Sequence, residues 1–164
     1  MTPDDTASTQ VDAEAAACPT PTTAGTGANQ AGLLVTYGDG TSQSICVSFD
    51  GDSITGYQLL QNSGLDIVTQ YFDGLGEALC KITGDAGSDG CDYPTQTCFC
   101  DSSTWVLFVT NDQTTWTKSD EGMSKAMVSA GGAQAQLWGN DTQSPPSCFF
   151  ADICGTTQTS ATDG

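Results

Sequence analysis

Three groups of side chains in this sequence could do chemistry: aspartates, lysines and cysteines. Asp85-Ala-Gly-Ser-Asp89-Gly-Cys-Asp92 crowds three carboxylates into one flexible stretch, and Asp50-Gly-Asp52 sets two more close together. Hard cations want such oxygen cages, so Asp85, Asp89 and Asp92 are the candidate ligands for calcium, the one cofactor considered. Asp50 begins no EF-hand loop, because its fifth position is Ile54 and its twelfth is Gln61. The plainer reading is that these aspartates make turns. Acid–base catalysis finds little to work with, since the chain has no histidine and no carboxylate has neighbours that would raise its pKa. A Gly-x-Ser-x-Gly nucleophile motif is also missing. No catalytic residue is assigned, and the chain is not read as an enzyme. Lys81, Lys118 and Lys125 could form isopeptide links, but solvated lysines are the simpler expectation.

The cysteines carry more. There are eight, Cys18, Cys46, Cys80, Cys91, Cys98, Cys100, Cys148 and Cys154, and an even number implies up to four disulfides in an extracellular or cell-surface protein. The spacing Cys91, six residues, Cys98, one residue, Cys100, without histidine, does not match a zinc site. Between Cys80 and Cys100 lie mostly Gly, Asp, Ser and Thr, which turn a chain but cannot anchor it. Only covalent links would hold that segment in place. Cys98 and Cys100 point to one side of an extended segment, so different partners are expected for them.

Charge narrows the partners. Twenty acids face three lysines, for a net charge of −17. Three lysines cannot build the basic face that nucleic acid needs, and an anionic membrane surface is disfavoured for the same reason. The longest aliphatic–aromatic run, Trp105 to Val109, is too short to span a bilayer, and Met1-Thr-Pro-Asp-Asp shows no secretion signal.

These side chains need elements to position them. Residues 1–30 read as a polar tail or linker, with a weak period-two pattern at Val11, Ala13, Ala15 and Ala17 that also fits a short helix. A single domain is expected over residues 31–155, and 156–164 form a polar C-terminal tail. Leu33, Val35 and Tyr37, then Ile45, Val47 and Phe49, alternate around Gly38-Asp-Gly40 as a hairpin. Cys46 lies on the opposite side from Ile45, Val47 and Phe49, so its bridge should tie an outer element to the sheet. Thr55 and Gln58 form a capping box for one short helix, Ile54 and Leu59 its hydrophobic staple, and Gly64 its stop. Strands follow at 67–72, 78–82, 104–109 (a central one), 114–117 and 133–138, and 141–164 reads as an irregular strap. One helix on a mixed or antiparallel sheet is α+β.

This order of pieces, with Ile54-Thr-Gly-Tyr-Gln-Leu-Leu60, Gly90-Cys-Asp-Tyr-Pro94, Cys98-Phe-Cys100 and Phe150-Ala-Asp-Ile-Cys154, resembles bacterial secreted proteins of the transcobalamin-like C-terminal domain family. The resemblance covers roughly residues 32–154. It implies a β-grasp-like mixed sheet with disulfide-stabilised loops, and a corrinoid-like ligand by analogy. Cys18 and Cys148 are additional to the family pattern, and the resemblance therefore suggests a bridge between them.

Two functions stand side by side. One is a non-catalytic extracellular or cell-surface structural protein working through protein contact, including self-assembly into an oligomer or filament through its N-terminal tail. The other is a secreted small-molecule binding domain. Tyr57, Tyr93, Trp116 and Trp138 are the candidate ligand or partner patch, formed if Trp116 and Trp138 point outward together. Asn140-Asp-Thr142 is a glycosylation sequon suited to a surface loop.

Overall fold

A computed structural model describes residues 18–119, 121–140 and 144–155. The hairpin forms where the alternation places it. Strands β2 (Asn29–Thr36) and β3 (Ser42–Phe49) pair antiparallel from Asn29↔Phe49 to Thr36↔Ser42. Their turn closes with Tyr37 N–H donating to the Thr41 carbonyl at 2.8 Å, and Gly40 takes the φ of +92° that glycine tolerates best. Strand β1 (Pro21–Gly25) runs parallel to β3, so residues 21–25, read from sequence as tail, belong to the sheet. Thr22-Thr23-Ala24 is too short and too weakly alternating to stand out as a strand until β3 offers it a ladder.

A short strand β4 (Ser53–Thr55) leads into helix α1 (Gly56–Asn62). The capping box is complete: Gln58 N–H donates to Thr55 Oγ1 at 3.1 Å, and Thr55 N–H donates to Gln58 Oε1 at 3.3 Å. Ile54 and Leu59 are both buried, as a staple requires, and Gly64 leaves the helix at φ +87°. Next come β5 (Asp66–Phe72), β6 (Gly76–Gly84) and β7 (Gly87–Gly90), a separate antiparallel sheet in that order. The chain continues through β8 (Thr104–Thr110), β9 (Thr117–Lys118), β10 (Met127–Ser129), β11 (Ala133–Gly139) and helix α2 (Phe150–Cys154). Strand β10 pairs with β4.

Among the described residues the main sheet has six strands in the order β1-β3-β2-β11-β8-β9, with β2 parallel to β11 and β8 antiparallel to it. The chain is thus α+β and mostly β, with two short helices among the described residues where the sequence suggested one. The second lies inside the expected strap. Strand β8 is next to the edge rather than central, although both its faces are buried.

Both faces of the main sheet are covered. One face buries Leu33, Val35, Ile45 and Val47 under Leu59 and Leu60 of α1, with Leu79 and Ile82 of β6 in the same cluster. The opposite face buries Leu34, Val106, Phe108 and Leu137 with Trp116 and with Ile153 of α2. Gly32 has no side chain where Ile153 lies, and a Cβ there would come within 3.0 Å of Ile153 Cδ1. Two-sided burial explains why Gln134 and Gln136, which alternate with Ala133 and Ala135, are 0% and 2% exposed rather than facing solvent.

All eight cysteines are bridged: Cys18–Cys148, Cys46–Cys154, Cys80–Cys98 and Cys91–Cys100. Cys98 and Cys100 do have different partners. Cys46 does bind an outer element, helix α2, across the face turned away from Ile45 and Val47.

Candidate functional site

The segment from Cys80 to Cys100 folds as a braced platform. Cys80 sits in β6, and β7 doubles back on it across Asp85-Ala86, with Gly84 opposite Gly87. Gly90, at φ +123°, lies so close to the Cys80 carbonyl that a Cβ would strike it. Cys91 N–H donates to that same carbonyl at 2.7 Å. The loop beyond is tied to itself: Gln96 N–H donates to the Asp92 carbonyl at 2.9 Å, Asp92 N–H to Gln96 Oε1 at 2.8 Å, and Thr95 Oγ1 to the Asp92 carbonyl at 2.7 Å. Lys81 Nζ lies 2.7 Å from Asp92 Oδ1. Two disulfides close the platform, with Cα separations of 4.7 Å for Cys80–Cys98 and 5.8 Å for Cys91–Cys100.

This bracing holds up an aromatic surface. Phe99 is 54% exposed and stacks on Phe72 of β5, ring centroids 5.9 Å apart and planes 23° from parallel. Tyr93, 37% exposed and joined to Pro94 by a cis peptide bond, stands nearby. Phe72, Tyr93, Pro94 and Phe99, with the side-chain amides Gln70 and Gln96, line a groove of about 510 Å³. Sequence reasoning found Tyr93 but missed Phe72 and Phe99. Cys98 and Phe99 lie in a turn rather than in the extended segment expected, and the signal for Phe99 was its place between two bridged cysteines.

The rest of the expected aromatic patch does not assemble. Trp116 is buried on the α2 face, stacked on Phe149 at 5.6 Å, with its indole N–H donating to the Cys148 carbonyl at 3.1 Å. Trp138 is paired in register with Trp105, their rings 5.2 Å apart. It alternates with Leu137 and so lies on the opposite face from Trp116. Tyr57 packs half-buried against the α1-side core. The sheet between them keeps Trp116 and Trp138 from forming one surface.

The aspartates are used for tethering. Asp89 Oδ2 accepts from Gly38 N–H at 2.6 Å, linking β7 to the β2–β3 turn, and Asp92 is engaged by Lys81. Burial, and then the negative charge of Asp89 and Asp85, pushes the Tyr37 hydroxyl up to about 12. Among the described residues, Asp85, Asp89 and Asp92 are not drawn into a metal-holding group. Lys125 Nζ donates to the Gly74 carbonyl at 2.7 Å. Asn140 is exposed, while Thr142 of its sequon and the Val11–Ala17 pattern lie outside the described residues.

A second, smaller cleft of about 230 Å³ opens between β6 and β8, lined by Leu79, Trp105, Leu107, Lys118, Met123 and Gln136. The indole N–H of Trp105 and the Gln134 Oε1 are buried without a hydrogen-bond partner among the described residues. No helix among the described residues is long and apolar enough to cross a membrane. No family model matches the chain, and no curated protein or solved structure is significantly similar to it.

Proposed function

We propose that this chain is a non-catalytic extracellular or cell-surface interaction protein that assembles with copies of itself by strand addition at β1. Four disulfides in a chain whose cysteines are all paired support that compartment. The single observation that carries assembly is the character of the sheet edges. Strand β5 is interrupted by a bulge between Val68 and Thr69, and β9 is two residues long and includes Lys118. Both features blunt an edge against pairing. Strand β1 has neither, and its one such feature, Pro21, stands at its first position and leaves Thr22 to Gly25 able to pair. Among the described residues it pairs on one side only, its Pro21-Thr-Thr-Ala-Gly25 is uncharged, and it is largely exposed. The N-terminal segment of a second copy carries the alternating Val11, Ala13, Ala15 and Ala17, a period-two pattern suited to strand addition.

Light scattering and negative-stain microscopy on the unreduced full chain test this. The expected result is ordered oligomers or filaments that Thr23→Lys converts to monomer without change in far-UV circular dichroism. A monomer at every concentration, or assemblies indifferent to Thr23→Lys, would sink the reading.

The small-molecule binder is the second reading, and the buried indole N–H of Trp105, without a partner among the described residues and beside the smaller cleft, favours a small polar ligand. At about 230 Å³ that cleft lies below the roughly 300–1,000 Å³ usual for ligand pockets, so a corrinoid would not fit inside it. The strand order β3-β2-β11-β8, with its central pair parallel and α1 on one face, supports a β-grasp-like core and the resemblance that implied it.

A further inference from the structure

We infer that the groove on the Cys80–Cys100 platform binds a neutral polysaccharide chain. Its chemistry is amphipathic without being ionic. Phe72, Phe99 and Pro94 offer flat apolar surfaces to the C–H faces of sugar rings, while Gln70, the side-chain NH2 group of Gln96 and the Tyr93 hydroxyl can exchange hydrogen bonds with ring hydroxyls. Among the described residues, not one that lines the groove carries a charge at neutral pH. A polyanion would meet the repulsion of a chain of net charge −17, and a polycation would find no carboxylate in the groove to pair with. A neutral, hydroxyl-rich polymer meets neither obstacle.

The groove is also rigid. Exposed aromatics on a loose loop would lose much of their contact energy in becoming ordered. Here two disulfides, the Lys81–Asp92 pair and the Asp92–Gln96 bonds fix the loop before anything binds. A 54% exposed Phe99 stacked on a neighbouring ring is a preformed platform that the core of this protein does not need.

The inference shares the extracellular setting of the proposed function but not its β1 edge, because the groove is built on the β5–β6–β7 sheet. The test is affinity electrophoresis of the unreduced full chain in gels containing a soluble mixed-linkage β-glucan, a galactomannan or an amylopectin. Retardation by at least one of them is expected, and pectate, a polyanion, should give less. Phe99→Ala should weaken retention about tenfold, the scale of one aromatic contact. Gln70→Ala should weaken it less, and Tyr71→Ala, on the opposite side of β5, should leave it unchanged. Retention that survives in Thr23→Lys separates glycan binding from assembly. Mobility unaffected by all three neutral polymers overturns the inference, as does retention that neither Phe99→Ala nor Gln70→Ala reduces, or equal retention by pectate.

Discussion

On one face of the six-stranded sheet sixteen buried residues form a continuous apolar cluster, and helix α1 is held there by Leu59 and Leu60 without any covalent link. On the opposite face the cluster has ten members, two of them cysteines, and the covering helix α2 is only five residues long. So short a helix cannot hold itself. It is bonded to β3 through Cys46–Cys154, and the chain just before it is bonded to Cys18 through Cys148. The contrast teaches where disulfides are needed. They sit where apolar area is too small to offset the entropy of ordering a strap, and they are absent where a capped helix brings its own leucines.

The largest effect should come from breaking the covalent face. Cys46→Ala with Cys154→Ala removes a crosslink spanning 108 residues, which should cost about 3–4 kcal/mol by the loop-entropy relation, because Cys18–Cys148 already brings the two ends near each other in the unfolded chain. Chemical denaturation would measure the loss. Hydrogen exchange should show the α2 face opening first, while the Leu59 and Leu60 amides stay protected. Equal loss of protection on both faces would erase the distinction drawn here. Breaking the apolar face comes next: Leu60→Ala, at a fully buried site, should cost about 3 kcal/mol and lower protection in α1 before α2.

The smallest effect is seen only at high pH, and it sharpens the comparison because Tyr37 belongs to the apolar face. Its folded-state pKa is raised, from 10.0 to about 12, so the neutral hydroxyl is the form the fold prefers. That stability is fully present below pH 10 and is lost as pH rises toward 12. The hydroxyl donates to Gln43 Oε1 at 2.9 Å, and Tyr37→Phe removes both the bond and the titration. Its stability relative to the parent should therefore improve between those two pH values. A difference that stays constant across the range would refute the assignment.

Much of the α1 face was legible in the chain. The alternation of Leu33, Val35 and Tyr37 against Ile45, Val47 and Phe49, and the Thr55–Gln58 box, are local patterns with local causes, and they survive into the structure unchanged. The groove was legible only in part. Tyr93 and the two flanking cysteines pointed to it, but Phe72 lies eight residues before Cys80 and joins Phe99 only because β5 pairs with β6. Trp116 and Trp138 misled for a related reason. Periodicity tells which residues share a face of one strand, and says nothing about which face of another element they meet.

By itself the sequence determined the oxidised state, the acidic surface, the hairpin and the capped helix, since composition and spacing of neighbours decide these. Tertiary structure alone decided the rest. It selected the three cysteine pairings besides Cys18–Cys148, recruited Pro21–Gly25 as an edge strand, and buried Gln134 and Gln136 between two layers. It also brought Phe72 of β5 to Tyr93 and Phe99 of the Cys80–Cys100 loop as one groove. Each of these depends on contacts between residues far apart in the chain, and such contacts exist only once the sheet has closed.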